Sequence, residues 1–137
     1  MAAVSELIRK ESDGSISFGN HTLESKEKVE NFDVAGNLYK VKTFRELTKL
    51  ERDGAFVYES EPGTSVNGFK EEENGVSFNV CADEDAMITV GLKEDTEYDV
   101  NVAGKNIGTI KTNLSGKLSV SVELADFKEV KVDITAK

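Results

Sequence analysis

The chain has 137 residues, 31% charged and 38% hydrophobic, with 26 acidic against 17 basic side chains and a net charge of −9. One domain of that size can bury a real core. The acidic balance removes the phosphate attraction that drives nucleic-acid binding, disfavours anionic membranes, and reads first as solubility.

The start, Met1 to Lys10, has no long apolar segment and carries Glu6 within it, so a secretory leader is not expected. The sequence has no apolar stretch of about 20 residues, the length that a membrane-spanning helix requires. With Cys81 as the single cysteine there is no internal disulfide. Together these point to a cytoplasmic protein. Val4 to Lys10 fits a short helix or an edge strand. Asp13-Gly14 then precedes a short strand, Ser15 to Phe18. Gly36-Asn37 separates Val29–Val34 from Leu38–Thr43, and Asp53-Gly54 separates Leu47–Glu51 from Ala55–Glu59. Phe44, Leu47 and Leu50 share helical spacing, so Phe44 to Leu50 reads as a strand or one helical turn.

The last third alternates most cleanly. Val76-Phe78-Val80, Ile88-Val90, Tyr98-Val100-Val102, Leu118-Val120-Val122-Leu124 and Val130-Val132-Ile134 are apolar at every second position, with polar residues between. A period of two means strands with one buried and one wet face. Asn74-Gly75, Gly104 and Ser115-Gly116 punctuate these runs as hairpin signals, because Gly and Asn tolerate positive φ. Ile107 and Ile110 differ in parity, so Gly108 is expected to mark a bulge. The expected fold is all-β: a single-domain antiparallel β-sandwich over residues 1–137, immunoglobulin-like or jelly-roll-like, with about eight to eleven strands. The expected core is Phe18, Phe32, Val41, Phe56, Tyr58, Phe69, Phe78, Val80, Ile88, Tyr98, Val100, Ile110, Leu118, Val120, Val122, Val130 and Val132.

The stretch Val90-Gly91-Leu92-Lys93-Glu94-Asp95-Thr96-Glu97-Tyr98-Asp99-Val100 resembles the corner of fibronectin type III and related immunoglobulin-like sandwiches. That resemblance implies that the Tyr98 hydroxyl bonds to upstream backbone. The run Gly104, Gly108, Thr112, Gly116 and Ser119 to Val122 is similar to bacterial accessory sandwiches attached to polysaccharide-degrading enzymes. The tryptophan of the fibronectin pattern is missing, since the chain has none. Met1–Arg9, Val57–Thr64 and Lys111–Leu124 resemble a family of short uncharacterised proteins from anaerobic Firmicutes, some of which carry an endosialidase label. Sialic-acid chemistry calls for clustered arginines, and Arg9, Arg45 and Arg52 are dispersed, so the resemblance implies a family without a known activity.

Candidate chemistry is sparse. His21, the single histidine, would need a nucleophile and an orienting acid to act as a base, and reads as a surface loop residue. Cys81 ends a strand on the face of Ser77 and Asn79. Asp83, Glu84 and Asp85 follow it, and negative charge raises a thiol pKa, so it reads as packed and inert. Asp83-x-Asp85 has calcium-like spacing alone, and with Glu94-Asp95 it reads as solvated loops at opposite ends of one strand. Glu71-Glu72-Glu73 reads as a charged hairpin tip. The chain is therefore expected to carry no catalytic, cofactor-binding or metal residue, and to need no cofactor. The leading expectation is a non-catalytic protein acting through protein contacts, including self-assembly, with no nucleic-acid or membrane partner. The alternative is a carbohydrate-binding or enzyme-accessory module. A small hydrolase using His21 or an acidic pair is a third, lesser reading.

Overall fold

Alternation and turn chemistry are realised throughout the computed structural model, which describes residues 3–125 and 129–137. The strands are β1 (Ile8–Lys10), β2 (Ile16–Phe18), β3 (Glu27–Val34), β4 (Asn37–Phe44), β5 (Leu47–Arg52), β6 (Ala55–Glu61) and β7 (Ser65–Glu72), followed by β8 (Gly75–Cys81), β9 (Ala86–Gly91), β10 (Glu97–Val102), β11 (Lys105–Lys111), β12 (Lys117–Val122) and β13 (Val130–Ala136). No helix occurs among the described residues. One sheet runs β1-β2-β7-β8-β13-β10-β11 and the other β12-β9-β6-β5-β4-β3. Every pairing is antiparallel. The two sheets pack face to face as a β-sandwich.

Even-numbered residues of β8, β12 and β13 point inward: Val76, Phe78 and Val80; Leu118, Val120 and Val122; Val130, Val132 and Ile134 are all buried. An aromatic cluster joins the sheets. Tyr58 of β6 meets the Phe18 ring of β2 edge-on at 5.2 Å and the Phe78 ring of β8 at 5.7 Å, while Phe69 of β7 lies 5.5 Å from both phenylalanines. Such pairs contribute about 0.5–1.5 kcal/mol each beyond area burial.

Four expectations are corrected. Phe44 to Leu50 is neither one strand nor a helical turn: Arg45 and Glu46 form a tight turn, with Phe44 of β4 opposite Leu47 of β5. Their helical spacing is a coincidence of two strand ends. Phe56 leaves the expected core. The β5–β6 register shifts so that Tyr58 faces Leu50 and Phe56 faces Glu51, which makes Val57 the extra, buried residue and turns Phe56 outward. There the Lys117 ammonium sits 4.5 Å from the Phe56 ring centroid. Ser115-Gly116 closes no hairpin, since β11 and β12 belong to different sheets. The strands also exceed the expected number, and of the two readings of Val4 to Lys10 the edge strand is the one formed, as β1 after a turn, paired with β2.

The bulge at Gly108 is present: Gly108 pairs with Val100 and Asn106 with Asn101, leaving Ile107 as the extra residue. Phe32 and Ile110 are half-buried against the core rather than within it, and Ile16, Tyr39, Leu50, Val57, Val66 and Ile134 are among the residues that join it.

Candidate functional site

His21 follows β2, Ser65 opens β7, and Asp83 lies in the loop between β8 and β9. The fold brings them together. His21 Nδ1 lies 2.7 Å from Ser65 Oγ, which also accepts the His21 backbone N–H at 3.2 Å, and His21 Nε2 lies 3.7 Å from Asp83 Oδ1. The imidazole is 11% exposed, which corrects its reading as a surface residue. Burial pushes its pKa below the ordinary value, with the Asp83 carboxylate opposing that shift. The three residue types are those of a nucleophilic triad, but the geometry is not. Ser65 is fully buried, so a substrate carbonyl has no path to its Oγ. Nδ1 faces the serine while the acid at Nε2 is 82% exposed. The arrangement can clamp the loop after β2 onto β7.

Beside it runs a buried chain of hydroxyls. Asn20 N–H donates to Thr43 Oγ1 (2.8 Å), which meets Thr48 Oγ1 (2.8 Å). Thr48 Oγ1 donates to the Thr64 carbonyl (2.7 Å) and accepts the Thr64 N–H (3.1 Å). Thr64 Oγ1 in turn meets the Tyr58 hydroxyl (2.7 Å) and Ser60 Oγ (2.8 Å). Burial raises the Tyr58 phenol far above its usual range. No buried side-chain polar atom of the described residues lacks a partner. The chain is therefore spent on holding the loop before β7 to strands β4–β6.

Cys81 pairs with Ser65 across β7 and β8 and is buried. Its thiol is pushed up by burial first, and only then by Glu129 and Asp83, so the acids following it in sequence are not the leading cause. Asp85 turns elsewhere: its Oδ1 accepts the N–H groups of Leu124 (2.8 Å) and Ala125 (3.0 Å), which hold the carboxyl below its usual range. Asp83 and Asp85 thus serve separate partners. Among the described residues no group of three His, Cys, Asp or Glu could hold a metal ion. Asp95 meets Lys111 at 3.2 Å, and Glu71 pairs with Arg52. The Tyr98 hydroxyl accepts the Lys93 N–H at 3.1 Å.

A polar cleft of about 550 Å³ opens on the outer face of the seven-stranded sheet, beside a bulge at Gly68. Its floor is Ser17, whose Oγ donates to Glu11 Oε2 (2.5 Å) and accepts the Gly68 N–H (3.1 Å); Arg9 Nε closes on the same carboxylate at 2.8 Å. Those bonds, Ser17 first and Arg9 next, lower the Glu11 pKa. Arg9, Glu11 and Ser17 of this cleft bond to one another, as do Asp13 and Ser15, and no aromatic ring lines it. No known protein family, curated protein or solved structure matches this chain.

What the surface does present is edges. Among the described residues each sheet is open, so β1, β11, β12 and β3 each have a side that pairs with no other strand. Three are blunted. β1 has three residues. β3 is broken by a bulge at Glu30–Asn31, with Asn31 at φ 58°. β11 carries the Ile107 bulge between Lys105 and Lys111. Of the three longer edges only β12 pairs without interruption, from Lys117 opposite Gly91 to Val122 opposite Ala86. Three of the four exposed large apolar side chains are on its side of the sandwich: Met87 on β9, Ile107 on β11 and Leu114 in the loop joining β11 to β12, at 47%, 49% and 80% exposure. Asn113 braces that loop, its Oδ1 accepting the N–H groups of Ser115 (2.9 Å) and Lys117 (3.0 Å). Sequence reading missed this site because exposure of a leucine in a turn depends on which strands the turn connects.

Proposed function

We propose that this chain is a non-catalytic protein that acts through protein contacts made at the side formed by β9, β12 and the β11–β12 loop. The exposure of Met87 on β9, of Leu114 in the loop and of Ile107 on β11, the strand leading into that loop, carries the reading. An apolar side chain of that size contributes about 1.5–3 kcal/mol when fully buried. A turn already braced by Asn113 loses little freedom on docking, so more of that gain appears as affinity. The non-catalytic part rests on the burial of Ser65 and the mutual engagement of the polar groups around it. A reducing, cytoplasmic setting suits the lone buried Cys81. The carbohydrate-accessory reading draws less support, because no described aromatic ring is exposed as a sugar platform.

Photo-crosslinking in cells of the native host tests this. A photoreactive amino acid placed at Leu114 or Ile107 is expected to yield a protein adduct of defined mass. The same probe at Leu38, on the exposed β4 position away from this side, is expected to yield none. Equal labelling from all three positions, or none from any, overturns the proposal.

A further inference from the structure

We infer that the protein met at this side is a second copy of the same chain, joined β12 to β12 in antiparallel register about a two-fold axis at Val120. The inference rests on the protein-contact reading and names its partner.

Backbone parity supports it first. The Leu92 N–H donates to the Gly116 carbonyl at 2.7 Å, so even-numbered residues along β12 turn their backbone groups to β9. Lys117 turns its own away from β9: its N–H and carbonyl both bond to Asn113. By the same alternation the N–H and C=O groups of Ser119 and Ser121 face outward along the free side. Antiparallel pairing about Val120 sets Ser119 opposite Ser121 of the second copy, and Ser121 opposite its Ser119. Each pair then exchanges both backbone hydrogen bonds.

Side chains agree with the backbone. The same register brings the Lys117 side chain, whose backbone stays with Asn113, beside Glu123 of the second copy at each end of the paired stretch, twice by symmetry. Both are exposed, and opposite charges directly across a strand pair attract. Shifting the centre by one residue either way breaks that match. The small hydroxyls of Ser119 and Ser121 meet on the outer face, and on the inner face Leu118 meets Val122 while Val120 meets its own copy, which extends the buried layer without a step. Asn113 covers the edge at Lys117, and beyond it no proline, bulge or charge interrupts β12 from Leu118 to Val122, so that stretch lacks the defences that the other three edges have. The contact is isologous and closes at two copies. In the free chain Lys117 lies over Phe56; its four-carbon stem swings to the edge when the second copy arrives.

Light scattering and sedimentation of the full chain at micromolar concentration test this. The expected mass is twice the 15.0 kDa of one chain. Ser121→Pro removes an outward N–H and leaves the β9 ladder its own donors, so it is expected to give a folded monomer. Lys117→Glu or Glu123→Lys alone sets like charges opposite each other and is expected to weaken association about tenfold. Combining the two restores it, although the double variant has also lost the Phe56 contact. A wild-type monomer overturns the inference, and so does a dimer indifferent to both the proline and the charge exchange. Those failures leave the broader reading intact if Leu114 still crosslinks to a protein of another mass. Absence of any crosslink removes both.

Discussion

His21 is half-buried between a neutral hydroxyl and an exposed carboxylate, and this sets how its charge couples to folding. Burial holds its pKa in the folded chain below the ordinary 6.5, and Asp83 only partly offsets that. Between the two pKa values the unfolded chain binds more protons than the folded one. Stability is therefore full above about pH 6.5, falls as pH drops below it, and levels off once both states are protonated. Urea unfolding of wild type and His21→Gln at neutral and mildly acidic pH checks this: the variant is expected to lose less stability on acidification. Asp83→Asn removes the opposing charge, so its acid loss is expected to exceed that of wild type. If Asp83→Asn flattens the profile instead, the ion pair outweighs burial and the assignment is wrong. The residue types of this cluster were visible in the sequence, but their meeting was not. Ser65 lies 44 positions beyond His21, and only the pairing of β2 with β7 closes that gap.

Individual strands and turns were the most legible level, for a local reason. Gly36, Gly54 and Gly104 adopt positive φ at the expected reversals, each after a residue (Ala35, Asp53, Ala103) that takes it too, as two-residue hairpin turns require. The Arg45–Glu46 turn was invisible because neither residue marks a reversal. The bulge at Val57 carries no glycine either, so the parity of Phe56 was carried one residue too far; Gly108 announced its own. A second class of glycine is dictated by contact rather than φ. A Cβ at Gly63 would overlap the carbonyl oxygen of Phe44, against which the loop before β7 closes with a Gly63 N–H to Arg45 carbonyl bond of 2.9 Å. Gly63→Ala is expected to cost about 3 kcal/mol, since the obstacle is backbone on a strand end and cannot rotate away. Gly54, at φ 82° with open space around it, meets only the conformational penalty, so Gly54→Ala is expected to cost about 1–2 kcal/mol. Chemical denaturation of the two variants settles the order, and equal losses would mean that the β4–β5 turn yields easily.

At the scale of the whole molecule, sheet membership was the part that the sequence left open. Ser115-Gly116 looks like the other reversals, yet it carries the chain from the seven-stranded sheet to the six-stranded one and so makes β12 an edge. That edge must operate on a chain with a net charge of −9, and the two scales of charge act in opposite directions. Copies paired through β12 have centres roughly 30 Å apart, given a radius of about 14 Å for a domain of this length. The Debye length is about 30 Å at 0.01 M salt and about 8 Å at 0.15 M, so added salt removes the long-range repulsion first. The attraction between Lys117 and Glu123 acts across about 5 Å and survives until the salt is much more concentrated. Association is thus expected to tighten several-fold between about 0.01 and 0.15 M salt, and to flatten or weaken towards about 1 M, where the Debye length is about 3 Å. The charge-exchanged double variant keeps the same net charge and is expected to follow the same curve, while Ser121→Pro stays monomeric throughout. A steady weakening from the lowest salt upward would mean that the net charge contributes little at this contact. A curve with no salt dependence at all would remove the charge match that selects the register about Val120.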